Sequence, residues 1–122
     1  MKVLIVEPGR HPREADIPHT TKAMQEVVGG YIDAVYLWEE GVAFVCDDEG
    51  ALKEVPFNRV LPTGNPIFGN FFICGVEDDD FTDLPPDKIE KYKKLLYNPV
   101  TVSDPDALRI SLLKSFRIIE LL

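Results

Sequence analysis

The chain is short of the residues on which most small enzymes depend. It has two histidines and two cysteines in 122 residues, and both histidines, His11 and His19, lie in a proline-broken amino-terminal stretch. A histidine-based zinc site or a serine triad therefore has few members to draw on. Ser103, Ser111 and Ser115 all fall in or beside the apolar carboxy-terminal segment, a poor place for an activated nucleophile. There is no G-x-x-x-x-G-K-[ST] phosphate loop, no dinucleotide fingerprint, no C-x-x-C pair and no H-E-x-x-H. No catalytic residue, cofactor or metal is assigned from the sequence.

Basic residues are also scarce: 13 against 21 acidic ones, for a net charge of −8 and a pI near 4.7. A protein that neutralises phosphates needs a basic surface, so direct binding to nucleic acid or to an anionic membrane is disfavoured. The plain use of such acidity is solubility. The sharper use is an acidic face that occupies a basic site on a host protein, as a DNA mimic does. Long apolar runs are missing too, none approaching the roughly 18 residues of a membrane span. The start, Met1 to Glu7, carries one lysine and an apolar run of four, too short for a signal sequence. A cytoplasmic location is expected. Cys46 and Cys74 sit inside apolar strand-like segments, where a thiol behaves as a small hydrophobe. They are expected to be buried and reduced, a cross-strand disulfide or redox role being the alternative.

What is present is enough for one core: 45% of the residues are hydrophobic, ordinary for a globular chain of this length. Val42 to Cys46 is apolar on both faces, β-branched or aromatic, and too short for a helix, which predicts a strand buried on both sides. Asp47-Asp48-Glu49-Gly50 supplies turn formers, and Ala51 to Val55 is expected to return as the partner strand. Pro56 closes it, leaving Phe57 to Leu61 with apolar residues around the polar pair Asn58-Arg59. Leu61 to Pro66 reads as a loop, and Phe68 to Val76 as a strand bracketed by Gly69 and Gly75.

Earlier in the chain, Lys2 to Glu7 predicts a first strand, and Glu14 to Pro18 an edge strand folded back on it. Lys22 to Val28 predicts a short helix capped by Thr20 or Thr21 and stopped by Gly29-Gly30, with Met24, Val27 and Val28 inward. Tyr31 to Leu37 follows as a strand, then a turn through Gly41 that pairs it with Val42 to Cys46. Further on, Glu77-Asp78-Asp79-Asp80 is the densest charge run, expected as a solvated loop or helix entry, with Thr82 or Asp83 capping the helix that Pro85-Pro86 introduces. Its spacing does not fit a calcium loop. Asp87 to Tyr97 is an amphipathic helix with Ile89, Tyr92 and Leu96 on one face. Residues 101–122 open with Ser103-Asp104-Pro105-Asp106 and carry an apolar stripe of Leu108, Leu112, Phe116 and Ile119.

The whole predicts an α+β fold: two layers, a mainly antiparallel sheet with two or three helices packed on it. Residues 1–100 form the single domain, and 101–122 a helical extension packing on that domain or on a partner, a homodimer through this helix included.

Three motifs in order, Val45-Cys46-Asp47-Asp48-Glu49-Gly50, Phe57-Asn58-Arg59-Val60-Leu61 and Gly69-Asn70-Phe71-Phe72-Ile73-Cys74-Gly75, resemble the family called domain of unknown function 3846. Met1 to Gly9 and Val28 to Tyr36 extend the resemblance over most of the chain up to the helix near Lys91, and the segment from Thr101 onward does not match. Members of that family are short proteins of bacteria and their phages or plasmids, with no established activity. The resemblance thus implies a mobile-element, intracellular setting and no mechanism.

Two functional classes remain open. One is a non-enzymatic interaction protein of a mobile element that modulates a host protein, in defence or nucleic-acid processing, through an acidic surface at Glu77, Asp78, Asp79, Asp80 and Asp83. The other is a small-molecule binder or minor enzyme using Asn58 and Arg59, with Tyr31, Tyr36 and Asp47 as neighbours, because an arginine beside a sheet can fork onto a carboxylate or phosphate. The plainer role of that pair is to hold loop backbone and satisfy an acidic partner.

Overall fold

Three strands in this chain are apolar without alternation, and they form the middle of the sheet. They are β1 (Lys2–Val6), β4 (Val42–Asp47) and β7 (Phe71–Glu77), joined in a sheet of order β2-β1-β7-β4-β3 by β2 (Arg13–Asp16) and β3 (Ile32–Leu37). Every pairing is antiparallel. The structure is a computed structural model and describes residues 1–100. The short β8 (Asp80–Thr82) folds back on the end of β7, and a separate two-stranded sheet pairs β5 (Phe57–Val60) with β6 (Pro66–Phe68). The two helices are α1 (Thr21–Val28) and α2 (Pro86–Leu95).

The absence of alternation has a simple cause: both faces of the sheet are covered. Leu4, Val6, Val42, Phe44, Phe71 and Ile73 meet Ile89, Tyr92 and Leu96 of the α2 segment, together with Leu61 and Ile67 of the small sheet. The residues between them, Val3, Ile5, Ala43, Val45, Phe72 and Cys74, face Met24 and Val28 of α1. The expected α+β antiparallel architecture is present, but its helices lie on opposite faces of the sheet, so two layers become three. Among the described residues there are two helices, and the expected third falls in residues 101–122, outside the described residues, as does the proposed packing of that extension. The three buried phenylalanines of the central strands alone contribute roughly 1.5–3 kcal/mol each through burial.

The edges differ from the centre. The sequence of β2 is Arg-Glu-Ala-Asp, three of its four residues charged, which discourages pairing with another chain. The helix α1 begins where Thr20 Oγ1 accepts a hydrogen bond from Ala23 N and ends where Gly29 turns left-handed at φ 83° and donates to Gln25 O.

Three expectations are corrected. Ala51 to Val55 does not return as a strand: Gly50–Leu52 is a single 3₁₀ turn, because both edges of β4 are already occupied by β3 and β7. Phe68 does not begin β7. Gly69 is left-handed at φ 77°, which breaks the chain between β6 and β7 and assigns Phe68 to the small sheet. Thr82 and Asp83 do not cap α2: Thr82 lies in β8, Asp83 accepts a bond from Lys2 N at 2.8 Å, and Pro85 stands at the cap with no side-chain bond.

Candidate functional site

Asn58 and Arg59 are adjacent in β5, and in a regular strand adjacent side chains point to opposite faces. Here the register slips between Phe57 and Arg59, a bulge that lets both turn inward. Asn58 is 0% and Arg59 1% exposed. Asn58 Nδ2 donates to Val6 O at 2.9 Å and Gly69 O at 2.8 Å, while its Oδ1 accepts from Arg59 Nη1 at 2.8 Å. The guanidinium donates to Leu96 O from Nε at 3.1 Å and Nη2 at 3.0 Å, and to Arg10 O from Nη2 at 2.6 Å. Among the described residues no carboxylate pairs with it. Its counter-charge is the carbonyl end of α2, where the helix dipole is negative. Burial lowers the guanidinium pKa from its ordinary value, yet an arginine stays a cation.

The fork that the sequence offered to a ligand is thus engaged with backbone carbonyls. It joins β5, the loop after β1 and the end of α2 at one point, while Asn58 joins β1 to the turn before β7.

Asp47 lies at the end of β4, near the same region but apart from the guanidinium. It is 9% exposed, bonded to Lys53 Nζ at 2.6 Å and to Glu49 N at 3.0 Å. The hydrogen bond to Asp47 raises the Lys53 pKa above its ordinary value. Asp47 also lines a concavity of about 350 Å³ with Glu7, Arg10, Gly69 and Asn70. Gly69, whose carbonyl Asn58 holds, is part of its wall.

The two tyrosines differ: Tyr31 adjoins Asp47, with Asp48 N donating to Tyr31 O at 2.9 Å and Ile32 paired with Asp47, whereas Tyr36 lies apart. Tyr31 precedes β3 and is 73% exposed. Tyr36 points to the α1 face and stacks on Trp38, ring centroids 4.5 Å apart, with Phe81 of β8 6.3 Å away. Asn58 and Arg59 are joined directly, Asp47 meets them only through the shared concavity with Gly69 and Arg10, Tyr31 lies beside Asp47, and Tyr36 lies apart. Trp38 and Phe81 were not singled out in the sequence. The only signal for Trp38 was a lone tryptophan next to a Glu-Glu-Gly turn, and for Phe81 its place directly after the acidic run.

The acidic residues form a hairpin. Glu77 pairs with Asp80, and Asp78 and Asp79 between them have φ of 51° and 63°, a tight two-residue turn of the primed type that matches the twist of the flanking strands. Glu77, Asp78, Asp80 and Asp83 line one shallow concavity with Met1, His19 and Phe81. Asp79 stands at the exposed tip beside it. Phe81 thereby links the carboxylates to the Tyr36–Trp38 stack.

Two further groups are structural. Glu40, from the turn after β3, accepts bonds from Lys88, Lys91 and the Tyr92 hydroxyl, fastening that turn to α2. Cys46 and Cys74 are buried and free. Burial, helped by Asp33, Asp47 and Asp48, pushes the Cys46 thiol up to about 11, and burial with Asp80 pushes Cys74 up to about 12. Both thiols are thus held protonated near neutrality, which disfavours nucleophilic chemistry there. Among the described residues no cluster of three or more histidine, cysteine or acidic side chains is arranged to hold a metal ion, and no helix is long and apolar enough to cross a membrane.

Fold and surface together define a small α+β domain with a sealed polar centre and an acidic, aromatic end. Residues 1–97 match the family described as Domain of unknown function (DUF3846), and the chain belongs to that family. No curated protein and no solved structure matches it.

Proposed function

We propose that the chain is a non-enzymatic interaction protein that binds a protein partner through the β7–β8 end of its sheet. The observation that carries this reading is the meeting of two features at one place. The run Glu77-Asp78-Asp79-Asp80 is exposed throughout, and beside it the Tyr36–Trp38 stack leaves Trp38 59% exposed. An aromatic anchor with a charged surround is the usual make-up of an energetically dense interface. The complementary partner surface is basic, with an apolar slot for the ring. A host protein that handles nucleic acid has such a surface, and in the mobile-element setting that the family resemblance implies, an acidic DNA-mimic-like face would modulate it. Direct nucleic-acid binding runs against the net charge of −8.

A second reading is favoured by one feature, the concavity of about 350 Å³ lined by Glu7, Arg10, Asp47 and Asn70 above the Asn58–Gly69 contact. A small polar molecule would sit there with Arg10 and Asn70 as its free donors. The guanidinium of Arg59 would position Arg10 through its carbonyl and would not touch the ligand.

The two readings separate in a salt titration. Proteins held on the immobilised chain at low salt should leave as ionic strength rises, since contacts between exposed charges weaken as the Debye length falls from about 30 Å at 0.01 M to about 10 Å at 0.1 M. Retention that ignores salt, or none at all, counts against the interaction reading.

A further inference from the structure

The two edges of the main sheet are unlike. β2 closes one with three charges in four residues, whereas β3 at the other has six residues and a single charge, Asp33. The pairing with β4 fixes which backbone groups of β3 are free. Asp48 N donates to Tyr31 O at 2.9 Å, and these two residues stand opposite each other in the register that pairs Ile32 with Asp47. Bonded and non-bonded pairs alternate along an antiparallel ladder, so Asp33, Val35 and Leu37 bond to β4, and Ile32, Ala34 and Tyr36 aim their N–H and C=O outward. Among the described residues no strand pairs with that edge, and the one bond made there is local, from Ala34 N to Oδ1 of Asp33 at 2.9 Å.

The surroundings of the edge are acidic and aromatic. Asp33 on the strand, Asp48 beside its start and Glu39 in the turn after it are exposed, and none of the three forms an ion pair among the described residues. Glu7, Glu14, Asp16, Glu40, Asp47 and Glu90, by contrast, are all paired. Tyr31, Tyr36 and Trp38 flank the strand with exposed rings. Through Tyr36, 6.3 Å from Phe81, the edge is continuous with the acidic hairpin.

We propose that β3 is the docking edge for an extended, basic segment of the protein partner, which joins the sheet as a further strand. Its backbone bonds to Ile32, Ala34 and Tyr36, its lysine or arginine side chains meet Asp33, Asp48 and Glu39, and it leads on past Trp38 toward the run Glu77 to Asp80. An incoming carbonyl takes Ala34 N from Asp33 and frees that carboxylate for a cation. A second copy of the chain suits the edge less well, because each copy brings a net charge of −8. The inference rests on the interaction reading above and adds the form of the partner.

The test uses a peptide selected from a random dodecapeptide display library on the immobilised full-length chain at low salt. The selected peptide should alternate apolar residues with others that include lysine or arginine. Amide hydrogen exchange read by NMR then locates it. In the free chain Ile32 and Tyr36 should exchange fast while Asp33, Val35 and Leu37 are slow, and bound peptide should slow Ile32 and Tyr36. Peptide that leaves these two amides fast overturns the proposal. Slow exchange at both in the free chain gives the edge to a second copy or to another part of this chain, and overturns it too. Ala34→Pro removes an outward N–H and spares the ladder to β4, so it should weaken the peptide about tenfold. Equal affinity overturns the proposal, and if this variant fails to fold the exchange pattern decides alone. The Trp38→Ala, Glu77→Lys, Asp80→Lys variant separates the inference from the reading beneath it. Binding lost in that variant and kept in Ala34→Pro overturns strand addition alone, whereas binding kept in both, or no peptide selected, overturns both.

Discussion

Arg59 donates from two of its nitrogens to the carbonyl of Leu96, at 3.1 Å and 3.0 Å, and so closes the carboxy-terminal end of α2 with a buried positive charge. The same guanidinium holds Arg10 O and Asn58 Oδ1, which makes it the point where three parts of the chain meet.

Arg59→Met should therefore act on stability. It removes the donors of two buried acceptors, Leu96 O and Asn58 Oδ1, and one part-buried acceptor, Arg10 O, and unsatisfied buried acceptors cost about 1–3 kcal/mol each, so a loss of roughly 3–5 kcal/mol is expected. Denaturant titration checks it. Arg59→Lys keeps the charge and lacks the fork, so its loss should fall between that of Arg59→Met and none. If both variants unfold at the original midpoint, the guanidinium is not a structural clamp.

The acidic turn should be strained for its sequence. Asp78 and Asp79 both hold positive φ, a conformation that Asn-Gly adopts more readily. The double change Asp78→Asn, Asp79→Gly should raise stability by about 0.5–1 kcal/mol in thermal or denaturant unfolding while removing two surface charges. A gain in stability joined to a loss of binding would mean that the aspartates are kept for contact rather than for folding.

Alkali should weaken the fold from about pH 9 upward. Cys46 and Cys74 have pKa values raised from 9.0 to about 11 and about 12 in the folded chain. A raised folded pKa means that the unfolded chain loses its proton first. The stability is fully present below pH 9 and is lost as pH rises toward the folded values, by up to roughly 1.4 kcal/mol per pH unit and thiol. Tyr92, raised by burial, and Lys53, raised by Asp47, act in the same direction. Denaturation midpoints between pH 8 and 11 should fall along this slope, and Cys46→Ala should make it shallower. A flat profile would mean that the thiols are solvated.

Much of the fold could be read from the residues because its signals are local. Thr20 caps α1 and Gly29 ends it, Met24 and Val28 point inward, and Ile89, Tyr92 and Leu96 form the buried side of the α2 segment, all as the spacing indicates. One failure, the start of β7, traces to the left-handed turn at Gly69, and the others to partners at a distance. Nothing within Ala51 to Val55 reveals that β3 and β7 already occupy both edges of β4. Nothing within Phe57 to Val60 reveals the bulge that turns both Asn58 and Arg59 inward. For the candidate site, the proximity of Asn58, Arg59 and the core was legible, as was the solvent exposure of the acidic run. The commitment of the guanidinium to Leu96 O and Arg10 O depends on residues 37 and 49 positions away and was not.

The aromatic stack should contribute little to the fold. Trp38 is more than half exposed, so Trp38→Ala should shift stability by no more than about 1 kcal/mol, most of it the lost contact with Tyr36. Circular dichroism and a denaturation curve check this, and the variant then serves as a folded probe of the surface.

The most direct test of the interaction reading is a side-by-side capture experiment with the full-length chain and a Trp38→Ala, Glu77→Lys, Asp80→Lys variant verified as folded. Both are immobilised and exposed to the same host lysate at low salt. The account predicts a protein partner retained by the unaltered chain, released as salt is raised, and not retained by the variant. A partner retained equally by both, or by neither, would contradict it and shift attention to a small molecule beside Arg10 and Asn70.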